Sequence, residues 1–209
     1  AGHTAFAFAP HVAEVVASDL TPQMLEVAAG VARERGLTNV SFEPADAEAL
    51  PFPDASFDLV TSRIAPHHFP HPKVFVAEAF RVLKSGGVFA LDDNIVPDPE
   101  SDEARAVGVF MNDWEKKRDP SHVRALPISE WCESINAAGA QVQSIETMTK
   151  AMDFAPWAER MNVSPADQSA LLEELQNAGD AVHAFMQPDF TGVDAVFHLT
   201  EGLIIARKL

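Results

Sequence analysis

The side chains with chemistry to offer cluster at a few points of this 209-residue chain. Asp19 follows the β-branched run Glu14–Ser18, and Gly2 stands 17 positions before it. A carboxylate at the carboxyl end of a buried strand, about 20 residues after a glycine turn, is placed to accept both vicinal hydroxyls of a ribose. The competing use of Asp19 is to start the helix opened by Thr21-Pro22. Ser62-Arg63 closes the run FDLVT at the kind of edge where open α/β sheets collect ligands, although Arg63 also suits a surface ion pair. His67-His68-Phe69, with His71 close by, offers imidazoles that titrate near neutrality. Either His67 or His68 is therefore a candidate base, against the plainer fate of a solvated loop. A metal site is disfavoured, because adjacent histidines on one loop lack a converging ligand set. Asp92-Asp93-Asn94 ends a further strand and reads as a cap for the next turn in preference to a pocket group.

Alternating strands and helices must position these groups. Glu14–Ser18, Val40–Phe42, Phe57–Thr61 and Val88–Val96 read as strands. Between them a helix runs from Thr21-Pro22 to Gly36, with Leu25, Ala28, Val31 and Ala32 on one apolar stripe. A second spans Val74–Leu83, closed by Ser85-Gly86-Gly87. Near-continuous apolar strands joined by helices predict a parallel sheet covered on both faces. Further on come helices at Glu100–Lys117, Ser129–Ala138 (capped by Ser129, stopped by Gly139), Pro156–Met161 and Pro165–Ala178. Strands are expected at Gln141–Thr149 and Val196–Ala206, paired antiparallel at one side of a continuous sheet. The excursion Asp153–Asp194 is predicted to be a helical insertion or lid over the ligand edge of a single domain spanning 1–209. Its Met161, Phe185 and Met186 either line an apolar pocket or pack the excursion onto the core. Thr4–Ala9 reads as a first helix, and a sheet of this kind has a strand ahead of it. One strand of about 5–6 residues is therefore expected to be missing from the chain as given.

Composition narrows the partners. Fifteen Lys and Arg against 31 Asp and Glu leave a net charge of −16. Such a surface repels phosphate backbones and anionic lipid, so no nucleic acid and no membrane surface is expected. The basic triplet Lys116-Lys117-Arg118 is too short and too diluted by Glu115 and Asp119 to reverse this. No apolar run approaches the ~18 residues of a span, and no charged-then-apolar leader opens the chain. The single Cys132 excludes an intrachain disulfide and fits a reducing compartment. A cytoplasmic protein is expected. Trp114, Trp131 and Trp157 sit at apolar helical positions and are predicted to be packing anchors.

Three passages in succession, EVVASDLTPQMLEVA, FEPADAEALPFPDASFDLVTS and EAFRVLKSGGVFALDD, resemble motifs of the class I S-adenosylmethionine-dependent methyltransferases. The ubiquinone/menaquinone-biosynthesis type is the most similar group. The resemblance covers Gly2 to Asp93 well and the remainder loosely; only Gly2 remains of the family's glycine-rich loop. It implies a Rossmann-like, doubly wound α/β fold, mostly parallel with an antiparallel C-terminal strand. It also implies S-adenosylmethionine as cofactor and a small-molecule acceptor; an apolar pocket lined by Met161, Phe185 and Met186 would make that acceptor lipophilic or aromatic. Under it, Asp19 holds the ribose hydroxyls and Leu20 and Met24 pack near the adenine. Asp46 accepts from the adenine amino group, the Ala47 N–H faces a ring nitrogen, and Ser62 and Arg63 lie beside the methionine moiety and the acceptor. Bland uses stand beside these: Asp46 as a solvated turn acid, and Leu20 and Met24 as helix packing. Two other functions share the strand–acid logic, a nicotinamide-dependent oxidoreductase and a non-catalytic binding or scaffold protein of the same fold.

Overall fold

The computed structural model describes residues 1–209. Strands β1 (Val15–Asp19), β2 (Val40–Pro44), β3 (Phe57–Arg63) and β4 (Leu83–Asn94) alternate with helices α1 (His3–Phe8), α2 (Pro22–Glu34) and α3 (Pro72–Val82). Helices α4 (Asp102–Arg118) and α5 (Ile128–Ala137) follow, then β5 (Ala140–Asp153), α6 (Phe154–Glu159), α7 (Pro165–Gln176), α8 (Asp180–Met186) and β6 (Val196–Lys208). No helix is long and apolar enough to cross a membrane.

The strands form two sheets, β1-β2 and β3-β4-β6-β5. β1 is parallel to β2, and β3 to β4, whereas β6 is antiparallel to both β4 and β5. In the larger sheet β6 is thus the one reversed strand, and the late pair is antiparallel as expected. The expected continuous sheet is not seen. Strands join only at a spacing of about 4.8 Å, and β1 and β3 are each an edge strand with no ladder between them.

Two further expectations need correction. Ser85-Gly86-Gly87 does not form a separate stop after α3. Leu83 is already extended, and these residues form an irregularity inside β4, between the pairs Phe57↔Leu83 and Leu59↔Val88. Gly86 has φ +76°, and a Cβ on Gly87 would sit 2.8 Å from the Lys84 carbonyl oxygen, so both positions call for glycine. Ser129 does not cap α5. Pro127 holds that position, and the Ser129 N–H donates instead to Asp98 Oδ1 at 3.0 Å.

Three apolar clusters hold these layers. Phe75, Phe80, Phe89, Leu91, Trp131, Ile135 and Ile204 pack α3 and α5 on the larger sheet. A second cluster joins Trp114 and Met111 of α4 to Trp157, Leu171, Leu175, Val182 and Met186 of the excursion and to Phe197 and Leu199 of β6. Phe6, Ala28 and Ala32 form a thin third cluster around β1-β2. The three tryptophans are buried anchors. Met186 is wholly buried in the second cluster, so it packs the excursion and lines no open pocket; Phe185 is half-buried and Met161 exposed.

β4 ends opposite Glu201 of β6, but the β5–β6 ladder continues from there to Asp153↔Val196. This two-stranded ribbon overshoots the carboxyl end of β4 and carries the excursion at its tip. The arrangement places α6, α7 and α8 beyond the end of the sheet at which parallel strands deliver ligand-binding loops.

Candidate active site

The parallel register Asp19↔Pro44 brings the ends of β1 and β2 together, and the Ala45 N–H donates to the Asp19 carbonyl oxygen at 3.2 Å. Asp19 and Asp46 therefore lie close to each other at one edge. Each is fixed by its own turn: Asp19 Oδ1 accepts from the Thr21 N–H and Asp46 Oδ1 from the Glu48 N–H, both at 2.8 Å. The second oxygen of each carboxylate has no partner in the chain. Leu20 and Met24 are 73% and 44% exposed, so neither is a helix-packing residue. A free carboxylate oxygen beside exposed apolar side chains matches a nucleoside, with hydroxyls to bond and a flat ring to cover. Gly2 precedes α1 with φ +74°, and a Cβ there would lie 2.4 Å from the Phe6 ring.

The loop after β2 is tied to α3. Glu48 accepts from the His71 N–H at 2.6 Å and pairs with His71 Nδ1, the Leu50 N–H donates to Glu78, and Arg81 reaches the carbonyl oxygens of Leu50 and Phe52. Ala47 packs against the cluster under α3. His71 is thus a loop clamp and does not join the other histidines.

At the ends of β3 and β4, Ser62 lies opposite Leu91 and Arg63 opposite Asp92; Arg63 Nε donates to Asp92 Oδ2 at 2.8 Å. The next residue, Ile64, has φ +48°, a costly conformation for a β-branched side chain and one that tends to occur where a site demands it. This corner leads into a single 3₁₀ turn, Pro66–His68. There His67 Nδ1 meets Asp93 Oδ1 at 2.6 Å, with the imidazole only 7% exposed. His67 Nε2 has no protein partner and is not sealed from solvent. The His68 ring centroid lies 4.2 Å from that of His67, and His68 Nδ1 is 3.1 Å from Ser121 Oγ. His122 stands behind them, 5.6 Å ring to ring from His67, with Nε2 2.9 Å from Asn112 Oδ1. Buried Glu115 pairs with Arg118 at 3.0 Å, and its Oε1, like Asp93 Oδ2, has no partner. The His67 carbonyl oxygen accepts from both the Val123 and Arg124 N–H groups at 2.9 Å, locking the turn to the segment after α4.

The environment sorts the histidines. Burial pulls His67 down, yet the bond to Asp93, its charge and that of Glu115 outweigh burial and hold the imidazole above 6.5. Burial and the charge of His67 push His68 down, and the same forces take His122 to about 4. Burial raises both Asp93 and Glu115. Divided acid–base roles require neighbouring groups with different pKa values, and buried ion pairs produce the same divergence.

Of the residues singled out in the sequence, the structure brings together Asp19, Leu20, Met24 and Asp46 at one edge, and His67 and His68 at another, in the turn that follows Arg63 at the end of β3. Asp93 is not a turn cap but the buried partner of His67. Its signal was available in the strand period, because Phe89, Leu91 and Asp93 alternate onto one buried face of β4. Asn112, Glu115, Asp119, Ser121 and His122 carried no such signal. Two hollows lie elsewhere: one of about 650 Å³ between α4 and α7, and one of about 320 Å³ where the start of α4 faces α8. Neither borders His67, Asp19 or Asp46.

Similarity to known proteins places the fold, and the chain belongs to the class I S-adenosylmethionine-dependent methyltransferases. Residues 1–91 match the methyltransferase-domain family. The chain is 42% identical over 182 residues to the Bacillus subtilis protein named uncharacterized methyltransferase YcgJ, covering 86% of this chain and 69% of that protein. A crystal structure of a Bacillus halodurans methyltransferase superposes with a TM-score of 0.92 at 39% identity, over 99% of this chain and 88% of that one. Similarity to the quinone-biosynthesis type is partial. The Thermus thermophilus demethylmenaquinone methyltransferase is 47% identical over 75 residues, 36% of this chain and 34% of that protein. S-adenosylmethionine is the methyl donor.

Proposed function

We propose that this methyltransferase modifies a small, largely apolar molecule, and that His67 removes the proton the acceptor loses. The observation that carries this reading is the asymmetry of His67: Nδ1 is clamped by buried Asp93, and Nε2 is left without a protein partner. S-adenosylmethionine supplies an electrophilic methyl group, so the chain's own task is to bind, orient and desolvate the reactants. Asp19 offers its free oxygen to the ribose hydroxyls, Leu20 and Met24 flank the adenine, and Asp46 with the Ala47 N–H reads its edge. Gly2 lets backbone approach the methionine end, with Ser62 and Arg63 bordering it. As a hydroxyl, amine or activated carbon of the acceptor takes the methyl group, its proton passes to His67 Nε2. Asp93 then stabilises the imidazolium. His68, held lower by burial, is the second candidate base.

A small apolar acceptor is supported by the partial likeness to demethylmenaquinone methyltransferase and by the excursion 153–194, read here as a lid within one domain. Half-buried Phe185 and exposed Met161 give it apolar side chains. The acidic surface argues against a polymer of phosphates, and the single Cys132 fits a cytoplasmic setting. With methyl-labelled donor and a whole-cell extract as acceptor source, label is expected in the low-mass, solvent-extractable fraction. Label confined to protein or nucleic acid would overturn the small-molecule reading. Asp19→Ala is expected to weaken donor binding by about 1–3 kcal/mol, the scale of a lost charged hydrogen-bonding site. Titration calorimetry on folded wild type and variant reads this directly, and unchanged affinity would remove Asp19 from the site.

A further inference from the structure

Strand β5 is wet on every side but one. This 14-residue strand pairs with β6 along its length and with nothing on its other edge, and residues 143–151 are all exposed, so both of its faces meet solvent. Ile145 and Met148 are 43% and 62% exposed there. Long edge strands invite pairing, and natural proteins usually blunt them with a lysine, a proline or a bulge. This edge has no proline, and its one irregularity lies between Val142 and Ser144, leaving 144–152 regular. Its lysine does not blunt it against every partner, because of where the opposite charge sits.

We propose that β5 is the dimerisation edge of this protein, pairing antiparallel with β5 of a second copy about a two-fold axis through Met148. The residue order Glu146-Thr147-Met148-Thr149-Lys150 is self-complementary in that register. Glu146 of each copy lies opposite Lys150 of the other, Thr147 opposite Thr149, Ile145 opposite Ala151, and the two Met148 side chains meet at the axis. Opposite charges and threonine pairs are favourable cross-strand neighbours, and the same patch on both copies is what a closed two-fold contact requires. A shift of one residue sets Glu146 opposite Thr149 or Ala151 and loses both ion pairs, so the charges fix the register. Two copies at −16 repel at long range, but at physiological salt that repulsion is screened within about 8 Å, whereas cross-strand partners lie closer than this. The contact would join two four-stranded sheets into one of eight and give each exposed apolar side chain a cross-strand neighbour.

Sedimentation of the full-length protein at physiological salt tests this by mass. The wild type should sediment as a dimer. Glu146→Lys sets lysine opposite lysine at both symmetric positions, and it should weaken dimerisation about tenfold or more. Lys150→Glu should do the same; because Lys150 Nζ also lies 3.5 Å from buried Glu201, its melting temperature is followed alongside. The double exchange Glu146→Lys/Lys150→Glu restores opposite charges and should recover the dimer. A wild type that stays monomeric at every concentration reached would overturn the proposal. So would a dimer untouched by Glu146→Lys, or single variants that dissociate while the double exchange fails to restore pairing.

Discussion

Replacing His67 with glutamine should lower the rate of methyl transfer by about 10²- to 10⁴-fold, the usual worth of a positioned general base, with donor affinity left within about threefold. Glutamine can still donate to Asp93, so the turn Pro66–His68 stays anchored and the loss reads proton transfer. The pH dependence separates a base from a structural histidine. Asp93 and Glu115 hold His67 above 6.5, so its neutral, proton-accepting form grows as pH rises through that folded value. The wild-type rate should therefore climb along a limb lying above pH 6.5. In Asp93→Asn the raising bond and charge are gone while burial remains, so the limb should move to lower pH even as the maximal rate falls. The same pair acts on stability with the opposite dependence. Its contribution is complete below the unfolded value near 6.5 and is lost as pH rises through the folded value. A limb at the same pH in wild type and Asp93→Asn, or an undiminished rate in His67→Gln, would remove His67 from the chemistry and turn attention to His68.

The division between what was legible in the sequence and what was not follows the range of the interactions. β1, α2 and the acidic turns are local structures: a β-branched run, Thr21-Pro22 and an Asx turn at Asp19 suffice to place them. The exposure of Leu20 and Met24 was not legible. Their spacing also matches a packing stripe, and the thin third cluster, Phe6 with Ala28 and Ala32, shows that α2 turns inward the stripe read from Ala28, Val31 and Ala32 instead. His67 and His68 stood out by type, but their meaning depends on Asp93, 26 positions on, and on Glu115 and His122 from beyond α4. That convergence is created by the tertiary fold. Asp93 was misread because three polar residues at a strand end resemble a cap, although the buried alternation through Phe89 and Leu91 extends to it. Gly86 and Gly87 were misplaced for a related reason: glycine signals positive φ or close approach, and both needs arise as readily inside an irregular strand as after a helix. The separate helix α8 was missed because Pro165–Ala178 and Asp180–Met186 are divided only by a short Gly179 turn.

Trp114→Ala should cost about 3–5 kcal/mol, the range for emptying a buried aromatic site, and the loss should fall unevenly on the molecule. Trp114 stacks on Trp157 at 4.4 Å between ring centroids and 15° between planes, and meets Phe197 edge-on at 5.0 Å. Its Nε1–H donates to the Leu171 carbonyl oxygen at 2.9 Å, fastening α4 to α7. Arg118 lies over the other ring of the stack, 4.5 Å from the Trp157 centroid. These contacts all belong to the cluster that seats the excursion on α4 and the β5–β6 ribbon, whereas α3, α5 and the larger sheet close around their own cluster. Hydrogen exchange should therefore quicken across Phe154–Met186 in the variant, while β4 and α3 keep their protection. Trp114→Phe keeps much of the aromatic packing and loses the Leu171 bond, so it should cost about 1–2 kcal/mol. If the excursion closes over the acceptor, Trp114→Ala below its melting temperature should still bind S-adenosylmethionine, whose proposed contacts lie on Gly2, β1, α2, the loop after β2 and the end of β3, yet transfer methyl groups far more slowly. A uniform rise in exchange over both clusters would show that the excursion and the sheet melt together. Normal turnover despite a loosened excursion would show that residues 153–194 do not form the lid.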